Sequence, residues 1–177
     1  MLEHYHQIED YDLFYADSTT VSEQGYVPYG WQFKDEEVAI PVCRGCKTHI
    51  FGIYSRQNEF HYWIESGSIT AAKVISWLDE FSWKIQRPTV VVLDNAGPHR
   101  ARKTMAMRKI WQQRGLYLFF LPPYSPQLNL IERLWKEIKG RWLKPTDYQS
   151  ADSMLYAVWM ICNAIGKQLN MNIANTP

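Results

Sequence analysis

The run Thr89-Val90-Val91-Val92-Leu93 has five β-prone residues and no polar alternation. A strand with one wet face alternates apolar and polar residues. One without alternation needs apolar cover on both faces, and so belongs inside a sheet flanked by helices. A second apolar run, Leu116 to Leu121, follows a helical stretch from about Pro98 to Arg114. Between the earlier segments, Ser68 to Ile85 places Ala71, Val74, Ile75, Leu78 and Phe81 at helical spacing after a candidate N-cap, Ser68 or Thr70. Upstream, Leu13-Phe14-Tyr15-Ala16, Val38 to Val42 and His49 to Tyr54 are short strand-like runs, the last two joined by the turn-like Arg44-Gly45 as a hairpin. A helix opens near Leu130 and another spans roughly Ala151 to Leu169.

Antiparallel strands followed by β-α-β-α predict an α/β, ribonuclease-H-like fold, with a mixed central sheet flanked by helices. With 177 residues there is room for one substantial core, so 1–177 is expected to be a single domain. No repeat or Pro/Gly/Ser-rich linker divides it. Nineteen Lys+Arg against eighteen Asp+Glu give a net charge of +1, so affinity for nucleic acid has to come from local patches. The polar start Met1 to His6 is not a signal peptide, and no apolar run approaches a membrane span. Cys43, Cys46 and Cys162 are an odd set with no disulfide framework, and the expected location is cytoplasmic.

Three acids stand where chemistry is placed in such folds. Asp94 directly follows the buried strand, at the carboxyl end where open α/β sheets bind ligands, although Asp94-Asn95-Ala96-Gly97 also reads as an Asx-type turn. Asp17 ends the Leu13–Ala16 strand and reads equally as a loop or cap residue. Glu132 lies in the first turn of the helix after Asn129, where Asn129-Leu130-Ile131-Glu132 also fits a capping box. Together they suit two-metal phosphoryl transfer, in which hard cations take carboxylate oxygens. Three converging carboxylates repel one another until cations arrive.

On the same helix Ile131, Leu134, Trp135, Ile138 and Trp142 form one core-facing stripe. Glu132 falls outside it, with Lys136 and Lys139 near it and Arg133 and Lys144 flanking, a face along which a phosphate backbone can run. A solvated face with a Glu132–Lys136 i,i+4 pair is the plainer account.

Val91-Val92-Leu93-Asp94-Asn95-Ala96-Gly97-Pro98-His99-Arg100 and Leu121-Pro122-Pro123-Tyr124-Ser125-Pro126-Gln127-Leu128-Asn129-Leu130-Ile131-Glu132-Arg133-Leu134-Trp135 closely resemble the DDE endonuclease domain of mariner-like transposases, nearest the bacterial insertion-sequence family six-thirty. The resemblance covers most of residues 11–145, including the segment ending in Phe51-Gly52 and the Tyr15-Ala16-Asp17 strand. It implies that Asp17, Asp94 and Glu132 are catalytic and bind two divalent cations, Mg²⁺ or Mn²⁺. Two departures accompany it: Ser18 stands where many relatives have Glu, and Glu132 follows Asp94 by 38 positions, slightly more than usual. Family members also carry N-terminal helix-turn-helix DNA-recognition domains, and that region is expected to be absent here.

The implied activity is hydrolysis of a phosphodiester at a transposon end and transfer of the freed 3′-OH into target DNA. The implied partners are transposon-end and target DNA, with a homodimer in the synaptic complex and no membrane. His99, Arg133, Lys136 and Lys139 are the candidate DNA-contacting residues. Alternatives are a ribonuclease-H-like nuclease or integrase with another nucleic-acid substrate, and a domesticated, non-catalytic DNA-binding module. Cys43-Arg44-Gly45-Cys46 with His49 resembles half a zinc site, but lacks a second ligand pair and reads as a turn. The eight Trp and eleven Tyr are assigned to core and sheet cover.

Overall fold

The computed structural model describes residues 11–22, 44–123 and 125–173. Five strands form one sheet in the order β3-β2-β1-β4-β5: β1 (Asp12–Ser22), β2 (Lys47–Ser55), β3 (Phe60–Glu65), β4 (Thr89–Leu93) and β5 (Leu116–Phe120). β1 pairs antiparallel with β2, and β2 with β3, while β4 runs parallel to both β1 and β5. The helices are α1 (Ala71–Ser82), α2 (Gly97–Arg100), α3 (Arg102–Gln113), α4 (Ile131–Glu137), continued by a π-helical turn over Ile138–Trp142, and α5 (Ala151–Ala164). The mixed ribonuclease-H-like sheet expected from the sequence is present.

Several boundaries differ from expectation, each for a physical reason. β1 extends to Ser22, because β2 continues to supply ladder partners as far as Ser22↔Lys47 after β4 has ended. β3 was not anticipated. Its six residues are all half-buried, so apolar and polar positions do not separate into two faces. The partner of β2 in the described residues is β3, not Val38–Val42, which lies outside them. The helix expected over Pro98–Arg114 breaks at Ala101, whose ψ of 142° is extended. α5 stops at Ala164, with Ile165 also extended. Cys46 is disulfide-bonded, which corrects the reading of the cysteines as unpaired, and a bonded sulfur is not the thiolate that a zinc site takes. Among the described residues no helix is long and apolar enough to cross a membrane.

The period-two alternation of the strands builds two cores. Phe14, Ala16, Phe51, Ile53, Val91, Leu93, Leu116 and Leu118 face α1 and α3 and meet Val74, Trp77, Leu78, Phe81 and Trp111. α1 starts at Thr70, whose hydroxyl accepts from Lys73 N at 3.4 Å. It is joined to α3 by Asp79, which accepts from Trp111 Nε1 (3.1 Å) and Arg114 Nη1 (2.6 Å). On the other face Leu13, Tyr15, Val21, Ile50, Tyr54 and Val92 meet Ile131, Leu134, Trp135 and Ile138, with Met154, Val158 and Ile161 of α5 behind. Ser150 caps α5, accepting from Ser153 N at 3.0 Å while Ser153 Oγ accepts from Ser150 N.

One glycine sets how closely α4 approaches the sheet. A Cβ at Gly52 would lie 2.6 Å from Phe60 Cε2, 2.7 Å from Trp135 Cη2 and 3.1 Å from Ile131 Cδ1. Trp135 and Ile131 are 3% and 0% exposed and have no free space to retreat into. Gly52→Ala is therefore expected to destabilise the fold by about 1–3 kcal/mol, the usual range for overpacking a filled core. Urea unfolding checks this, with Gly67→Ala, whose Cβ would meet nothing nearer than 3.8 Å, as the comparison.

Candidate active site

The β1–β4 ladder runs in register from Asp12↔Thr89 to Ala16↔Leu93. One step beyond, Asp17 and Asp94 are the next residues on the two neighbouring chain segments. Their side follows from alternation: Leu13 and Tyr15 precede Asp17, Val90 and Val92 precede Asp94, and all four pack on the face covered by α4. Asp17 lies inside β1, not at its end as the sequence suggested. It is nonetheless the first residue beyond the β4 ladder, so its carboxylate stands where the sheet opens.

The two carboxylates occupy opposite environments. Asp17 is 8% exposed, and Trp135 Nε1 donates to its Oδ2 at 3.3 Å. Burial raises its pKa from 3.8 to about 7, with the Asp94 and Glu132 charges adding to the rise, while the Ser18 amide and His99 oppose it. Asp94 is half-exposed and held below the usual carboxylate range, first by its hydrogen bond with His99. Its Oδ1 is 2.6 Å from His99 Nδ1 and accepts from Ala96 N at 3.0 Å. Thus the Asx turn read from the sequence is present, and Asp94 also belongs to the acid cluster.

Glu132 occupies the first turn of α4, half-buried. The capping box proposed for it does not form: the helix has no side-chain cap, and Asn129 instead donates Nδ2 to Ala16 O at 3.3 Å. Asn129 is 3% exposed, which takes it out of capping reach and ties α4 to the residue before Asp17. Two clefts meet at Glu132. One, of about 420 Å³, is lined by Asp94, Asn95, Asn129 and the prolines of the 122–126 loop. Asn95 shapes it by donating to Leu121 O across the ends of β4 and β5. The other, of about 790 Å³, runs along Thr19–Ser22 and the π-helical turn, past Lys136, Lys139 and Arg141.

The predicted DNA contacts separate. Lys136 and Lys139 line the larger cleft. Lys139 is close enough to Glu132 and Asp17 that both raise its pKa, although burial outweighs them and holds its ammonium below the usual lysine range. Arg133 is exposed and lines neither cleft, and its charge acts on Tyr54. His99 is 1% exposed, its ring packed edge to face with Phe51 at a centroid distance of 6.0 Å, and faces Asp94. Sequence reasoning missed Trp135 and Asn129 as neighbours of the acids, having assigned one to the core stripe and the other to a cap. The available signal was that a buried indole N–H and a buried carboxamide both need partners.

Among the described residues no three His, Cys, Asp or Glu side chains are already arranged to hold a metal ion. The donor set nevertheless fits a hard divalent cation. Asp17 and Asp94 are adjacent in register, Glu132 couples electrostatically to Asp17, and every donor is a carboxylate oxygen. Asn129 Oδ1, buried and without a hydrogen-bond partner among the described residues, adds a hard oxygen on the same wall.

Residues 12–155 match the family described as DDE superfamily endonuclease, and the chain belongs to that family. The fold is similar to the Mos1 transposase paired-end complex with left transposon end (TM-score 0.66, 18% identity), with 95% of this chain and 52% of that one covered. It is also similar to the mariner Mos1 paired end complex with Mg (TM-score 0.64, 16% identity, 92% and 51% covered). The catalytic core domain of BIV integrase superposes with a TM-score of 0.54 and 14% identity, over 90% of this chain and 86% of that one. In sequence, the uncharacterized protein y4pE/y4sA of Sinorhizobium fredii is 33% identical over 66 residues, 37% of this chain and 44% of that protein. The chain thus spans about half the length of the Mos1 transposase chains it resembles.

The raised pKa of Asp17 has a signed consequence for stability. With about 7 in the folded state and 3.8 unfolded, the native state binds the extra proton between these values. The contribution is then fully present below pH 3.8 and is lost as pH rises through 7, on the order of 4 kcal/mol at most. In metal-free buffer, parent minus Asp17→Asn unfolding free energy should fall from pH 5 to pH 8. A difference that stays flat or rises would contradict the burial-driven shift.

Proposed function

We propose that this chain is the catalytic domain of a transposase, cutting a phosphodiester at the end of a mobile element and joining the freed 3′-OH to target DNA. The observation that carries this reading is the β1–β4 register, which sets Asp17 beside Asp94 on the face where α4 presents Glu132. Asp17, Asp94 and Glu132 would hold two divalent cations, Mg²⁺ or Mn²⁺. Such ions activate the attacking oxygen and stabilise the leaving one.

The protein's own part is placement and charge. Asp94 is kept ionised by His99 and is ready to ligate at neutral pH, whereas Asp17, desolvated, gives up its proton when a cation offsets the cost. Lys136, Lys139 and Arg141 line a cleft leading away from Glu132, and we assign it to the phosphate backbone of the strand being cut. Lys139 sits deepest, near two of the acids, and neutralises charge that would otherwise repel the substrate. We assign His99 to orienting Asp94 and leave Arg133 outside the DNA path. The Mos1 structures are paired-end complexes, and by that likeness we propose a homodimer as the working form.

Three measurements test this. Millimolar Mn²⁺ at a hundredfold excess over its dissociation constant should stabilise the chain by about 2.7 kcal/mol. Glu132→Gln should lower Mn²⁺-dependent nicking of supercoiled DNA on the order of 100-fold or more while the protein stays folded, because the cap is not what holds α4 in place. Asp152→Asn, at an exposed position of α5, should nick normally. DNA binding should be insensitive to sequence and fall steeply with salt, since the cations meet phosphates and not base edges. Undiminished nicking by Glu132→Gln would remove Glu132 from the site.

A further inference from the structure

Three constraints converge on the indole of Trp135, one turn beyond Glu132 on α4. Its Nε1 donates to Asp17 Oδ2 at 3.3 Å. Its far edge rests on Gly52, the register partner of Asp17 on β2, so closely that even a methyl group there would lie 2.7 Å from Cη2. Phe60 packs against it edge to face, with ring centroids 6.1 Å apart at 72°. At 3% exposure the ring has no other orientation open to it, and its N–H direction is fixed.

A tryptophan serving only as core filler needs some acceptor for its N–H, and any backbone carbonyl would do. Here the acceptor is an acid of the cluster, and the donor sits on the helix that carries another. We propose that Trp135 is a positioning residue of the acid site, fixing the rotation of the Asp17 carboxylate and locking it to the helix that presents Glu132. The Ser18 amide also bonds the Asp17 carboxylate, so the indole is one of two donors that fix its rotation. Gly52 is the other half of the device, because only a missing side chain lets the ring come down to the level of the strand. Asn129 acts alongside, anchoring the start of α4 to Ala16 O. The inference rests on the metal-binding reading above and adds to it a residue that acts through Asp17.

The test is Mn²⁺ binding to the full 177-residue chain, followed by electron paramagnetic resonance, for the parent, Asp17→Asn, Trp135→Phe and Trp159→Phe. Phenylalanine keeps an aromatic ring in the slot and removes the donor. Trp135→Phe should bind Mn²⁺ about 10–100-fold more weakly, the usual cost of losing a group that orients a ligand. Trp159→Phe, exposed on α5, should bind as the parent does. Folded Trp135→Phe with parent-like affinity overturns the inference and leaves the metal reading standing. A parent that binds no Mn²⁺, or binds it equally after Asp17→Asn, overturns the metal reading and this inference with it. Should Trp135→Phe not fold, the Trp135 indole ¹H–¹⁵N resonance decides. It should move upfield and exchange faster in Asp17→Ala, and an unmoved resonance overturns the proposal.

Discussion

The parallel ladder between β1 and β4 is the contact on which the rest of the molecule depends. Its register brings two acids distant in sequence to neighbouring positions, and its alternation turns both toward one helix layer. Had β4 slipped by one residue, Val91 and Leu93 would exchange faces with Val90 and Val92, and Asp94 would point toward α1 and α3. The apolar side chains therefore fix the geometry of the acids. Phe14, Ala16, Val91 and Leu93 on one face and Leu13, Tyr15 and Val92 on the other leave the strand pair a single register that buries both sets.

Onto this pair the α4 layer adds charges of graded readiness. Asp94 is solvated and hydrogen-bonded, and keeps its charge. Asp17 is buried and holds its proton to near neutrality. Lys139, drawn toward the acids yet desolvated, is the cation nearest to them in the described cleft. The arrangement limits the repulsion that three ionised carboxylates would impose on an empty site, and it lets the full negative charge develop only when positive charge arrives. Electrostatic strain is thereby kept out of the resting fold.

Much of this was legible in the sequence. The unbroken Thr89–Leu93 run declared a doubly covered strand, and Asp94 falls at its end. The 130–142 stripe separated Glu132 from the core correctly. What could not be read depended on partners remote in sequence. The length of β1 is set by β2, and β3 hides because its residues are neither clearly in nor out. Asn129 looked like a cap because capping is local, whereas its real acceptor, Ala16 O, is 113 residues away. His99 was expected near phosphate and proved buried, since its short helix packs down against Phe51. Trp135 belonged to the apolar stripe as read, and only the tertiary structure shows where its one polar atom goes.

The central position of β1 also bears on how the chain is made. β1, β2 and β3 pair in sequence order, and the β1–β4 pairing, which spans a longer stretch of chain, is expected to close later. Until then the β4-facing edge of β1 is an open row of amides and carbonyls beside Leu13–Ala16, a template for any passing strand. The helix α1, formed between the two, can cover that apolar face early and shield it. The acids meet only after α4 has been synthesised and docked. A nascent or truncated chain ending before Glu132 therefore lacks the complete acid set.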